Sequence, residues 1–107
     1  MICFPSCKIN LGLRITNKRA DGFHALETVF FPISIKDALE IIIEPNASAA
    51  PITFTSSGLQ INGEPSDNLC FKAYEILKKD FPSIPNIKMH LHKHIPMGAG
   101  LGGGSAD

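Results

Sequence analysis

The sequence predicts an α+β domain, built on a mixed, mostly antiparallel sheet with one clear helix. Three observations carry that expectation. Apolar and polar residues alternate in several segments, the period of a strand with one buried face. A single segment, near residues 69–81, has helical spacing instead. The strands come in a run before that helix and one follows it, which is not the order of a sheet wound alternately with helices.

In residues 7–16, Ile9, Leu11, Leu13 and Ile15 alternate with Lys8, Asn10, Gly12 and Arg14, so the first set is expected to face a core. Asp21-Gly22 then marks a tight turn. Residues 24–35 resume a strand rich in Val, Phe and Ile, which Pro32 should end or place at an edge. Residues 37–44 read as a third strand, because three consecutive isoleucines are stiff at χ1 and favour the pleated sheet. Residues 45–51 read as loop, 51–55 as a short strand and 56–68 mostly as turns.

In the helix, Leu69, Cys70, Ala73, Ile76, Leu77 and Phe81 form the expected apolar stripe, opposite Lys72, Glu75, Lys78 and Lys79. Asp67 or Asn68 can cap its start, and Pro82 ends it. Lys78 and Lys79 occupy the last turns, where the helix dipole favours cations. Residues 86–95 alternate again. Ile87, Met89, Leu91 and Ile95 face one way and Lys88, His90, His92 and His94 the other, while Lys93 falls in the apolar register. The three histidines could also present imidazoles to Zn²⁺, although an exposed strand face explains the pattern as well.

The 107 residues suit one domain. Ten basic and ten acidic residues cancel, which removes the simplest argument for a nucleic-acid partner. No apolar run approaches the roughly 20 residues of a membrane span, and no signal peptide is visible, so no membrane partner is expected. Cys3, Cys7 and Cys70 are an odd count without a CxxC pair, which points to a reducing, cytoplasmic setting. From Asp37 to Phe71 there are five acids and no Lys or Arg, read as a solvated acidic side. Oligomeric state is not assigned.

The segment Pro96, Met97, Gly98, Ala99, Gly100, Leu101, Gly102, Gly103, Gly104, Ser105, Ala106, Asp107 follows the last strand directly, and five of its twelve residues are glycine. Glycine can turn sharply and let backbone N–H groups converge on an anion. A helix starting there would add its free N–H groups, with Ser105 near that start, able to meet a phosphate or its Mg²⁺. It is not a P-loop, since no Lys precedes Ser105. Gly98, Gly100 and Gly103 satisfy GxGxxG, but a dinucleotide fold needs an acid about 20 positions on, beyond residue 107. A protein-kinase loop would want Val where Ser105 stands.

PMGAGLGGGSAD resembles the second signature of the GHMP small-molecule kinases, P-x-G-x-G-L-G-x-S-[SA], with one extra glycine before the serine. PSCKINLGLRITNKRADGFHALETVF is similar to the opening motif of one branch of that family, PAKINLFL…RxDGYHxLxTxF. DNL at 67–69 and KxIP at 93–96 extend the resemblance, which runs from about Pro5 to Asp107 and is weakest over 45–65. It implies a domain like the second domain of ribosomal protein S5. It also implies ATP- and Mg²⁺-dependent phosphorylation of a hydroxyl on a cytidine-diphosphate-linked methylerythritol, a step of non-mevalonate isoprenoid synthesis.

By that resemblance Lys8 is the catalytic cation beside the acceptor hydroxyl, and Asn10 lines the same substrate face. Phe23 and His24 receive the cytosine. Residues 96–106 cradle the ATP phosphates, Ser105 meets Mg²⁺, and Asn68 and Lys93 border the adenine. Phe23 stands where the family has Tyr, which keeps a ring for stacking and removes the phenolic hydroxyl. Cys7 replaces a small alanine, and Gly12 replaces a bulky residue and could widen the pocket. The family's base is an aspartate well downstream of the glycine loop, which Asp107 does not match. Residues 1–107 are therefore expected to be a truncated N-terminal domain, without the following helix or a C-terminal domain and inactive alone. A homoserine or mevalonate-type kinase, which RADGFH argues against, and a noncatalytic nucleotide- or metal-binding module are the other readings.

Overall fold

A computed structural model describes residues 1–46 and 50–107, so part of the loop expected at 45–51 lies outside the described residues. The strands are β1 (Ile2–Cys3), β2 (Ser6–Lys18), β3 (His24–Lys36), β4 (Ala38–Ile43), β5 (Ile52–Gly58) and β6 (Ile87–Lys93). The helices are α1 (Leu69–Asp80) and α2 (Gly103–Ala106), with a 3₁₀ turn at Pro65–Asp67. Four strands form one sheet in the order β1-β4-β6-β5, and β2 and β3 pair as a separate ribbon. Among the described residues only β5 and β6 run parallel, and α1 is the crossover between them. The α+β expectation with a mixed sheet is met.

β6 is the centre of the fold. Its alternation is as sharp in space as in sequence, with Ile87, Met89 and Leu91 buried against Leu39 of β4 and Ile52 of β5. α1 covers this face with Cys70 and Tyr74, with Phe71 packed beside them. Each such aliphatic or aromatic side chain contributes roughly 1.5–3 kcal/mol on burial. The Tyr74 hydroxyl donates to the Pro85 carbonyl at 3.1 Å, so its polar end is satisfied. The cap is Asn68, whose side chain accepts from Cys70 N at 2.9 Å.

The buried stripe of α1 is not the expected one. Cys70 and Tyr74 are buried and Phe71 partly so, whereas Leu69, Ile76, Leu77 and Phe81 remain exposed. The segment is apolar on two sides, and spacing alone does not say which side the sheet takes. The stretch expected to be turns is also more regular: Ser56–Gly58 extend β5, and Pro65–Asp67 close the 3₁₀ turn.

The ribbon departs further. Leu11, Leu13 and Ile15 are exposed, as are Val29, Phe30 and Phe31 on its partner strand. The ladder shifts register between Leu11 and Leu13, where Gly12 sits at φ +70° and its carbonyl accepts from Thr28 Oγ1 at 2.6 Å. Gly12 is thus a bulge residue, which breaks the two-residue alternation. Pro32 does not end β3. It lies in a strand paired on one side only, the edge placement that its missing N–H allows. The Asp21-Gly22 turn forms as expected, with Gly22 at φ +87° and Phe23 N donating to Asp21 Oδ1 at 3.1 Å.

Gly58 ends β5 under a double constraint. Its φ is +81°, and a Cβ there would stand 2.2 Å from the Lys93 carbonyl oxygen. That oxygen already accepts from Leu59 N at 2.8 Å. Gly58→Ala is expected to cost about 2–4 kcal/mol, from left-handed strain plus overpacking against backbone. Urea unfolding checks this, and a loss below about 1 kcal/mol would show that the strand end relaxes freely.

Candidate active site

The site begins at the first residues of β2. Cys7 is buried, and Lys8 and Asn10 are half-buried. Being two apart on a strand, Lys8 and Asn10 project from one face, and Lys8 Nζ donates to Asn10 Oδ1 at 2.6 Å. Asn10 in turn donates from Nδ2 to Thr28 Oγ1 at 3.1 Å. Lys8 also reaches across the chain: Nζ donates to Gly100 O at 2.9 Å, and the backbone N–H to Leu101 O at 3.0 Å. The ammonium lies 5.2 Å from the centre of the Phe30 ring, within cation–π range. The cation and the glycine segment, far apart in sequence, are one structure.

In that segment Gly98, Gly100 and Gly102 have φ of 71°, 72° and 71°, while the intervening Ala99 and Leu101 are not left-handed. Left-handed residues alternating with ordinary ones are the backbone pattern from which an anion nest is built. Met97 and Gly104 flank the nest, and Pro96 leads in from β6. Gly103 opens α2, with Ser105 N and Ala106 N donating to Gly102 O at 3.2 Å. The first helical turn after the loop is therefore present. Ser105 lies exposed within it.

Behind the loop is a buried ion cluster. Lys93 is 2% exposed, and its Nζ donates to Asp37 Oδ2 at 2.5 Å and to Asp107 Oδ2 at 2.7 Å. Asp37 is 1% exposed, which corrects its reading as part of a solvated acidic side. Burial opposes its charge, yet Lys93 and the Ile95 and His94 N–H groups hold the Asp37 carboxyl below its ordinary pKa. Burial likewise opposes the Lys93 ammonium, and the two carboxylates raise its pKa nonetheless. Asp107 is pushed up, chiefly by burial and also by Asp37, with Lys93 working the other way. Asp107 Oδ1 is buried without a hydrogen-bond partner.

Lys93, Asn68 and Asp107 meet at a cleft of about 160 Å³, lined also by Ile61, Leu69, Leu91, Met97 and Gly104. Asn68 thus caps α1 and borders this cleft at once. Nothing in the motif marks Asp107 for the cluster, because it follows the loop so closely. The signal for it is Lys93: a lysine in an apolar register needs acidic partners.

Phe23 and His24 are not brought to Lys8. They lie at the tip of the ribbon, with Phe23 72% exposed and His24 paired to Lys18. Ten residues of strand separate Lys18 from Lys8, roughly 30 Å along the chain. His90 and His92 stand on the open face of the sheet. Ser57 Oγ lies 2.9 Å from both His90 Nε2 and His92 Nδ1, and Thr55 Oγ1 is 2.8 Å from His90 Nδ1. The described residues contain no group of three or more His, Cys, Asp or Glu placed to hold a metal ion. Burial pushes the Cys70 thiol up to about 11, so it is inert packing.

Residues 68–107 match the family model of the GHMP kinases N terminal domain. Over 107 residues the chain is 58% identical to a Bacteroides fragilis protein named 4-diphosphocytidyl-2-C-methyl-D-erythritol kinase, covering 100% of this chain and 38% of that protein. It is 40% identical over 104 residues to the chloroplastic kinase of that name from Arabidopsis thaliana, covering 97% of this chain and 26% of that one. A crystal structure of 4-(cytidine 5'-diphospho)-2C-methyl-D-erythritol kinase superposes with a TM-score of 0.78 and 34% identity, over 99% of this chain and 36% of that one. The chain thus spans well under half the length of its relatives. Similarity along its whole length, a shared fold and a glycine loop tied to a strand lysine agree, and the chain has the fold of a GHMP kinase N-terminal domain.

Proposed function

We propose that these residues serve an ATP-dependent kinase that phosphorylates the free hydroxyl of 4-diphosphocytidyl-2-C-methyl-D-erythritol. The observation that carries the reading is the bond from Lys8 to the glycine loop. It sets a cation against the glycine loop, where a γ-phosphoryl group and an acceptor hydroxyl would meet. The nest N–H groups bind phosphate oxygens, and Lys8 steadies charge gathering on the transferring group. The cleft beside Asn68 and Lys93 takes the base of the nucleotide.

A resident metal centre does not fit the described residues. A magnesium ion carried on the nucleotide's phosphates needs only one or two protein oxygens, and Ser105 is the hydroxyl at the loop's end. Such an ion would supply charge neutralisation to the phosphates. Lys8 hydrogen-bonds Asn10 and Gly100 and makes no ion pair with a described carboxylate. We therefore assign the base that orients the acceptor hydroxyl to protein outside residues 1–107, consistent with the greater length of the relatives.

A coupled ADP-release assay on the full-length protein tests this. Turnover is expected with the cytidine-linked alcohol and not with methylerythritol phosphate, homoserine or mevalonate. Equal turnover with an unlinked alcohol, or none with any, would overturn the reading. Phe23 then stacks on the cytosine once the ribbon curls its tip toward Lys8, because about 30 Å of extended strand would leave the two out of reach of one substrate. Base stacking is worth about 1–3 kcal/mol, so Phe23→Ala should raise KM for the cytidine substrate about tenfold and leave KM for ATP alone. Unchanged KM for the cytidine substrate would remove Phe23 from the site.

A further inference from the structure

Asp37 lies at the junction of β3 and β4, outside the glycine loop, yet it holds both halves of the site. Its Oδ1 accepts from His94 N at 2.5 Å and Ile95 N at 2.8 Å, while Oδ2 accepts from Lys93 Nζ. One carboxylate thereby fixes three consecutive residues immediately before Pro96. Its own backbone N–H donates to Pro5 O at 3.0 Å, three residues ahead of Lys8. Through Lys93 it also reaches Asp107, past the other end of the loop.

The loop rests on what Asp37 holds. Ile95 is fully buried, and a Cβ at Gly103 would stand 2.6 Å from Ile95 Cγ2 and 3.3 Å from Lys93 Nζ. The backbone of Gly103 therefore seats directly on the pair. A shift of residues 93–95 by a few tenths of an ångström would pass straight into the nest, because no slack separates them.

We propose that Asp37 is a positioning residue for the glycine loop: by clamping Lys93, His94 and Ile95 it sets the nest N–H groups for the nucleotide's phosphates. The inference rests on the kinase reading above. In Asp37→Asn the carbonyl can still accept the two N–H bonds, but an amide NH₂ now faces the Lys93 ammonium, so the clamp opens on one side. Removing a charge-assisted hydrogen bond of this kind is expected to raise KM for ATP about tenfold or more. KM for the cytidine-linked alcohol should stay at the wild-type value. A purely structural role would lower the amount of active enzyme and leave both KM values unchanged, and that outcome overturns the proposal.

Hydrogen exchange of the full-length protein without nucleotide gives a second reading. Residues 96–104 should exchange faster in Asp37→Asn while α1 is unaltered; wild-type exchange in the loop overturns the proposal. If Asp37→Asn does not fold, Asp37→Glu keeps the charge for Lys93 but displaces residues 93–95. It should show the same rise in loop exchange and in KM for ATP, and wild-type values in folded Asp37→Glu overturn the proposal as well. Absence of kinase activity in the wild type would instead sink the kinase reading, leaving the exchange data to decide the role of Asp37.

Discussion

Lys93→Met is expected to lower the unfolding free energy by about 3–5 kcal/mol, the largest loss of stability from a single substitution proposed for this fold. Methionine matches the lysine stem in volume, so packing is kept and the charge alone is removed. Asp37 and Asp107, with side chains 0% and 2% exposed, then lose their shared cation. The pH dependence should change sign with it. In the wild type the lowered Asp37 pKa contributes stability that is present above about pH 4 and is lost as pH falls through the folded value. The raised Lys93 pKa contributes stability that is complete below about pH 10 and is lost as pH rises through its folded value. Asp107 opposes Asp37, since its raised pKa makes the folded state bind protons more readily. In Lys93→Met burial is opposed at Asp37 only by the Ile95 and His94 N–H groups and at Asp107 by no cation, so both carboxyl pKa values rise from where Lys93 had held them. The variant should gain stability on acidification from about pH 7 to 5, where the folded state then holds more protons than the unfolded. Urea unfolding across that range checks it. A loss below about 1 kcal/mol, or no gain in acid, would mean that water reaches the cluster.

The last strand is legible in the sequence because a sheet centre imposes both neighbours and burial on each residue. Every second side chain of β6 must be apolar, and the exception, Lys93, marks the ion cluster. The glycine loop is legible for a related reason. A backbone that alternates into the left-handed region at Gly98, Gly100 and Gly102 leaves a record that no other residue type supplies cheaply. The capping of α1 by Asn68 is equally local and equally readable.

What is not legible depends on partners far away in sequence. Asp37 sits between two strands, where an acid is ordinary, and only the approach of Lys93 and the 93–95 backbone across more than fifty residues gives it meaning. The buried side of α1 is decided by the sheet it meets, which covers Tyr74, its hydroxyl donating to the Pro85 carbonyl, and leaves Ile76 exposed. In the ribbon, the bulge at Gly12 cancels the very alternation from which a buried face is read. The segment of β2 is therefore correctly seen as a strand, and its Leu11, Leu13 and Ile15 incorrectly seen as core.

Lys8→Met is expected to lower kcat of the full-length protein by about 10²–10³-fold, the range for loss of one donor that stabilises transition-state charge. The effect should be confined to chemistry. The link from β2 to the loop through Lys8 N–H and Leu101 O is backbone and survives the substitution. The side-chain stem that packs near Gly102 is also retained, since a Cβ there would lie 3.2 Å from Lys8 Cε. An ammonium has three donors, and Asn10 and Gly100 take two. The third is left for the oxygen that gains charge as the phosphoryl group moves. Because that bond strengthens only in the transition state, kcat and kcat/KM should fall together while KM for ATP holds within about threefold. Lys8→Arg should not restore the rate, because its planar fork is bulkier where Gly102 crowds the stem and spreads its charge over five donors. Lys79→Met, on the exposed side of α1, controls for the loss of a positive charge and should leave kcat unchanged. A Lys8→Met enzyme within about fivefold of wild type would show that the nest carries the transition-state charge without the lysine.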